Sequence, residues 1–144
     1  MLFRSLRIKR AISAWGFSQP NVFSLAAALA AYREGGPWLD ALVEYLRGNL
    51  RSLAGFLETS LPGVGVSPVE GSYLAWLDFR AFLRARGKEA DDVELARTLE
   101  DSGRVRLSPG SGFGLEGSGF IRLNFACPRS ILEEGFGRVA GCLR

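Results

Sequence analysis

The spacing of apolar residues changes at Pro62-Gly63, and that change limits the fold more than any other feature of the sequence. Up to about residue 61, leucines and other apolar residues recur every three to four positions, which is typical of amphipathic helices. After Pro62-Gly63 the apolar residues alternate, as in strands with one buried face. Helices followed by a small sheet predict an α+β domain in which helices cover the sheet.

Three helices are predicted in the first part of the chain. The first ends near Gly16, and the second covers Asn21 to Arg33. The third helix is long. It begins after the stop at Gly35-Gly36, since Pro37 suits a first helical turn, and it ends at Pro62-Gly63.

The remainder of the chain predicts a sheet and two further helices. One helix starts at the acidic pair Asp91-Asp92 and ends at Gly103, which would cap its C-terminus. Pro128 opens the last helix. The predicted strands cover residues 64–66, 72–78, 105–107 and 120–125.

Several functions are excluded by the residue types that the sequence lacks. The chain of 144 residues fits one domain and has no histidine, and Cys127 and Cys142 do not have CxxC-type spacing. A zinc site or a Ser-His-Asp triad within this chain is therefore excluded. Without a histidine to lower its pKa, Cys127 is interpreted as a small buried residue and not as a nucleophile.

Charge and hydropathy favour neither a nucleic-acid nor a membrane partner. The net charge is +3 and the arginines are scattered, whereas a nucleic-acid interface needs clustered cations. The longest mostly apolar stretch, Val22–Tyr32, is about half of the ~20 residues that a membrane-spanning helix needs. A small basic nucleic-acid-binding module stays open as an alternative, to be recognised by affinity that falls steeply with salt.

The segment Ser108–Gly119 is rich in glycine and includes a GxGxxG pattern at Gly112–Gly117. In a dinucleotide-binding site this pattern must lead directly into a helix, but here a predicted strand follows at Phe120. We therefore interpret the segment as a flexible hairpin loop, and its functional alternative is a mobile loop that borders an active site.

Arg122 lies in the middle of an otherwise apolar strand, where burying its charge would cost much free energy unless the guanidinium faces a cavity or an anion. The planar guanidinium can hold a carboxylate through two parallel hydrogen bonds, so carboxylate recognition is one interpretation. The other is a residue at the rim of the sheet with a structural acidic partner. Tyr73, Trp76 and Asp78 could line a pocket, but alternating aromatic residues in a strand favour the core.

Six segments of the sequence carry a resemblance to a known family. They read PNVF at 20–23, AAY at 30–32, GPWL at 36–39, LPG at 61–63, EGSYLAWLD at 70–78 and IRLNFACPR at 121–129. Together they resemble the C-terminal part of the MalY/PatB-type cystathionine β-lyases, which have the class I/II aminotransferase fold. The resemblance covers nearly the whole chain from about Pro20, and its closing segment is the most specific part.

The resemblance implies a fold and a domain arrangement. Members of this family hold pyridoxal 5′-phosphate (PLP) between a large and a small domain, bound covalently to a lysine of the large domain. Residues 1–35 would then be N-terminal helices that link to a missing large domain, and residues 36–144 would be the small domain. Neither Lys9 nor Lys88 lies in the sequence context of the cofactor lysine. We therefore expect a fragment, a truncated gene product or half of a split enzyme.

The resemblance also implies an activity, which is β-elimination of cystathionine or a related cysteine S-conjugate to a thiol, pyruvate and ammonia. Arg122 matches the family arginine that holds the substrate α-carboxylate, and the loop Ser108–Gly114 matches a loop along the substrate entrance. Trp38 and Tyr73 match positions that we interpret as packing. A cytoplasmic homodimer is expected for the complete enzyme. An aminotransferase of the same fold and a non-catalytic regulator that pairs with an intact homologue are the alternatives.

Overall fold

The computed structural model describes residues 2–16 and 20–144 of the chain, which forms two compact units, Met1–Leu42 and Val43–Arg144. The long third helix begins in the first unit and continues in the second. The predicted division into residues 1–35 and 36–144 refers to the domains of a larger enzyme and stays a prediction.

The first unit consists of helices with exposed apolar side chains. Helix α1 covers Leu2–Ala14, α2 covers Val22–Glu34, and α3 covers Gly36–Ser60. The side chain of Asn21 caps α2 by accepting a hydrogen bond from the backbone N–H of Ser24 at 2.8 Å. No residue of α2 is buried. No helix in the described residues is long and apolar enough to cross a membrane.

The second unit is a four-stranded antiparallel sheet with helices packed on one face, so the predicted α+β class is confirmed. The strand order is β1-β2-β4-β3. The neighbouring strands β3 and β4 are connected by a loop that contains two short 3-10 turns. The elements are β1 (Gly65–Val66), β2 (Leu74–Asp78), α4 (Arg80–Arg84), α5 (Asp92–Asp101), β3 (Ser108–Pro109), the turns Gly110–Phe113 and Leu115–Gly117, β4 (Phe120–Asn124) and α6 (Arg129–Leu143).

Alternate residues of the two central strands face the core. Leu77 and Ile121 are fully or almost fully buried, and they belong to one apolar cluster with Leu53 of α3, Leu99 of α5 and Phe136 of α6. The intervening residues of both strands lie on the other side of the sheet, which we call the outer face. It carries Trp76, Asp78, Phe120 and Arg122, all of them half-buried.

The prediction of a strand at residues 105–107 is wrong in position: the structure has β3 at Ser108–Pro109. The backbone N–H of Val105 donates instead to the carbonyl of Leu99, at 3.0 Å, and this bond ties the segment to the end of α5. The chain therefore reaches the edge of the sheet only at Ser108, where it pairs with Arg122.

Gly103 does not cap α5 in the way the sequence predicts. The helix ends at Asp101, and the left-handed backbone conformation falls on Arg104, with φ of 55°. Gly103 is instead buried at a close approach, since a Cβ there would lie 2.8 Å from the carbonyl oxygen of Leu99 and 3.1 Å from the Sγ of Cys142. Packing, and not backbone freedom, requires this glycine.

Asn49 is a fully buried polar residue that joins α3 to the turn after β4. Its Nδ2 donates to the carbonyls of Phe125 and Cys127, both at 2.9 Å, and its Oδ1 accepts from Nε of Arg129 at 3.2 Å. Gly48 leaves room for that guanidinium, because a Cβ there would collide with it. The amide group of Asn49 thus fixes the chain as it leaves the sheet for α6.

The substitution Asn49→Ala should destabilise the chain by about 3 kcal/mol, because it leaves buried carbonyl groups without a donor. Urea unfolding followed by circular dichroism measures this. Thr59→Ala, at the exposed end of the same helix, is the matched control and should change the free energy of unfolding by less than about 0.5 kcal/mol. Equal effects of the two substitutions would show that Asn49 does not join these elements.

Candidate functional site

Arg122 lies at the centre of the outer face, paired across the sheet with Trp76 of β2 on one side and Ser108 of β3 on the other. Its Nη2 donates to Oγ of Ser108 at 3.3 Å. Its Cζ lies 4.2 Å from the centre of the Phe113 ring, within the range of a cation–π contact. A hydroxyl group and an aromatic ring therefore hold the guanidinium, which is half-exposed.

Among the described residues no carboxylate lies within ion-pair distance of Arg122. Asp78, on the same face of the sheet, is bound by Arg80 through two bonds, Nε to Oδ1 at 2.9 Å and Nη2 to Oδ2 at 2.7 Å. These bonds from Arg80 lower the pKa of Asp78 despite the opposing effect of its partial burial. The described structure therefore does not support the interpretation of Arg122 as half of a structural ion pair.

An aromatic groove of about 320 Å³ lies beside Arg122 on the outer face. The edge of Trp76 meets the Phe113 ring at a centroid distance of 5.6 Å, and it also contacts Phe120 at 6.4 Å. Ser67, Glu116 and Gly117 complete the lining. The groove thus has aromatic walls and a carboxylate at its rim.

The preference for a core position was wrong for Trp76 and Asp78, which lie half-buried on the outer face and not in the apolar cluster. Tyr73 and Trp38, for which the resemblance predicts packing roles, have exposed fractions of 48% and 68%. Ser72, which precedes Tyr73, has a φ of 68° and is therefore not in a strand conformation, and β2 begins at Leu74. The extended run predicted from residue 72 was therefore too long by two residues.

Asp92 is a buried carboxylate that fastens the glycine-rich loop, whereas the sequence predicts for it only a position at the start of a helix. Its Oδ2 accepts from the backbone N–H of Ser111 at 2.8 Å, and its Oδ1 accepts from the N–H of Gly119 at 3.1 Å. Burial alone would raise the pKa of Asp92, but these hydrogen bonds outweigh burial and lower it. Asp91 alone caps α5, through the N–H groups of Val93 and Glu94. The sequence signal for a second role was the pair Asp91-Asp92, because one aspartate is enough to cap a helix.

The glycines of this loop allow its two arms to touch. A Cβ on Gly110 would collide with the carbonyl of Gly117, and a Cβ on Gly117 would collide with the carbonyl of Gly110. Gly119 has a positive φ of 79°, and a Cβ at this position would collide with the side chain of Arg80. The loop then leads into β4 and not into a helix, as expected from the sequence. Its glycine content reflects a tight fold of the backbone.

In the second unit, neither Cys127 nor Lys88 is among the residues that hold Arg122 or line the aromatic groove. Cys127 is half-buried, and burial raises the pKa of its thiol, so it is a weak nucleophile at neutral pH. Lys88 lies between α4 and α5 and lines a groove with Arg86 and Leu143. Lys9 belongs to α1, in the first unit.

Comparison with known proteins assigns the chain to a family. The model of the family described as aminotransferase class I and II matches residues 6–139. The chain belongs to this family. The chain is 40% identical over 129 residues to protein MalY of Escherichia coli K12 and 39% identical over 128 residues to cystathionine β-lyase PatB of Bacillus subtilis 168. The resemblance to MalY/PatB-type proteins inferred from the motifs is thus confirmed.

The matches to class I and II relatives cover different shares of the two chains. They include 90% of this chain with MalY and 89% with PatB, but only 32% of each relative. The chain therefore spans about a third of the length of the curated relatives it matches. The PLP-bound C–S lyase from Staphylococcus hominis superposes with a TM-score of 0.78 at 29% identity, covering 93% of this chain and 34% of that one.

The substitution Arg80→Gln should raise the pKa of Asp78 toward its ordinary value of 3.8, because the main stabilising hydrogen bonds are lost. A lowered pKa means that Asp78 stabilises the fold above pH 3.8 and that this contribution disappears as the pH falls through the lower, folded-state value. NMR titration of the Asp78 carboxyl carbon measures the shift. Arg84→Gln, which removes only a weaker charge effect, should move the titration less; the reverse order would contradict the assignment.

Proposed function

We propose that this chain is the small-domain part of a PLP-dependent carbon–sulfur β-lyase, in which Arg122 binds the α-carboxylate of an amino-acid substrate. The single observation that carries the proposal is the position of the Arg122 guanidinium, held in place on the outer face without a carboxylate partner in the described residues. The names of PatB and of the Staphylococcus hominis C–S lyase support the reaction class.

The arrangement around Arg122 suits an incoming carboxylate. A guanidinium has five N–H donors, and among the described residues that of Arg122 forms one hydrogen bond, to Ser108. Stacking on Phe113 restricts the plane of the group, so less freedom is lost when a ligand binds. A substrate carboxylate would supply both the missing negative charge and two parallel acceptors.

PLP, when bound, supplies the electron sink for elimination from an amino acid. The residues of this chain fit recognition of the amino acid and do not fit covalent attachment of the cofactor. Lys88 lines a groove with Arg86 and Leu143 and not the aromatic groove, and neither Lys9 nor Lys88 has the sequence context of the family's cofactor lysine. In the proposal the cofactor lysine therefore belongs to a large domain outside this sequence. The homodimer and the cytoplasmic location rest on the resemblance alone.

Transamination is the second candidate, because the matched family includes aminotransferases and the same arginine would serve both reactions. The products separate the two. A β-lyase releases pyruvate and a thiol from cystathionine without an added keto acid, whereas an aminotransferase requires an amino acceptor.

A hybrid enzyme tests the proposed reaction. The third of Bacillus subtilis PatB that this chain matches is replaced by the matching residues of this chain. We expect the hybrid to release pyruvate from cystathionine. A hybrid that binds PLP but gives no pyruvate, or that is active only with an added keto acid, would overturn the lyase assignment.

In the hybrid, Arg122→Gln should lower kcat/KM by about a hundredfold, mainly through KM, because charge-assisted bonds to the carboxylate are lost. Arg122→Lys should restore only part of this, since an ammonium keeps the charge but not the planar fork. Arg106→Gln is the matched control, because it removes an exposed arginine two residues before Ser108 that is paired with Glu100. Unchanged substrate affinity in Arg122→Gln would rule out the carboxylate contact.

A further inference from the structure

Asp92 carries a charge that its position in the helix does not require. It is only 3% exposed, and among the described residues its carboxylate oxygens accept hydrogen bonds from backbone N–H groups and form no ion pair. Burying a carboxylate in this way is costly unless the hydrogen bonds compensate it. Since Asp91 already caps α5, the role of Asp92 lies in what its two oxygens hold.

The two bonds close the glycine-rich loop at both ends. Ser111 lies in the first arm of the loop Ser108–Gly119, and Gly119 is its last residue, directly before β4. The two arms touch beside these bonds, at Gly110 and Gly117. The segment is therefore a closed loop attached to α5 through one carboxylate.

Phe113 is the residue of this loop whose aromatic ring contacts Arg122. Its ring lies under the Arg122 guanidinium and against the edge of Trp76. It is 53% exposed, so burial alone does not hold it in place. An exposed cation–π contact contributes only about 0.5–1 kcal/mol, which is no more than the entropy cost of ordering roughly one residue. Two hydrogen bonds to a charged group, at about 1.5–3 kcal/mol each, are the larger contribution.

We propose that Asp92 is a positioning residue of the carboxylate-binding site: it fixes the glycine-rich loop so that Phe113 holds the Arg122 guanidinium in the plane that a carboxylate needs. The inference rests on the proposed function for its kinetic consequence. Its structural part, the dependence of the Phe113–Arg122 contact on Asp92, stands without it.

The first experiment uses the 144-residue chain and NMR spectroscopy. The Phe113 ring should shift the side-chain proton signals of Arg122 away from their values in a solvated arginine. Asp92→Asn should move these signals most of the way back, because an amide has one acceptor oxygen and no charge. Ser111→Pro removes both the backbone N–H and the hydroxyl of Ser111 that face Asp92 and leaves Asp92 in place, so it should act in the same direction even if Asp92→Asn does not fold.

Asp91→Asn is the matched control. Asp91 is adjacent and also accepts two backbone hydrogen bonds, but these belong to α5 and not to the loop. The Arg122 signals should therefore stay as in the unsubstituted chain. Ring-shifted Arg122 signals that persist in both Asp92→Asn and Ser111→Pro would overturn the inference.

The second experiment uses the PatB hybrid. Asp92→Asn should raise KM for cystathionine about tenfold and leave kcat within about twofold, since only the orientation of the carboxylate contact is disturbed. A general loss of stability would instead lower the concentration of active enzyme, and hence the apparent kcat, without raising KM. Asp91→Asn shows the size of that effect. An inactive unsubstituted hybrid argues against the proposed function, whereas an active hybrid with unchanged KM in Asp92→Asn argues against the inference.

Discussion

The register between β2 and β4 determines on which side of the sheet each functional side chain lies. Trp76 pairs with Arg122, and Leu77 pairs with Ile121, so that one set of residues faces the helices and the other faces outward. A shift of one residue would turn Arg122 into the core and expose Ile121. The apolar cluster resists such a shift, and it thereby keeps a positive charge on the outer face.

The buried polar groups of the second unit are satisfied by hydrogen bonds, and both of them organise the surroundings of β4. Asp92 binds the backbone just before this strand, and Asn49 binds the backbone just after it. Arg122 lies between these two anchors. Its neighbour Asp78 is already neutralised by Arg80, so the charge of Arg122 stays available for a ligand. Among the described residues Arg122 forms no ion pair, and in the proposed function a substrate carboxylate is its partner.

Much of the fold could be predicted because its strongest signals are local. The helix α3 and the strand β4 follow from periodicity, and Pro128 marks the start of α6. The five-residue helix α4 is too short for a periodic pattern, and β3 consists of two residues that are defined only by pairing with β4. The role of Asp92 depends on backbone groups 19 and 27 residues away, which no local pattern reveals. The position of Arg122 could be predicted because a charged residue in an apolar strand is itself unusual.

The most direct test of the account is a crystal structure of the complete enzyme with an amino acid bound. The account predicts that two guanidinium nitrogens of Arg122 lie about 2.7–2.9 Å from the two carboxylate oxygens of the ligand, with Phe113 still stacked below. A ligand carboxylate bound by other groups, with Arg122 paired to a protein carboxylate, would contradict it.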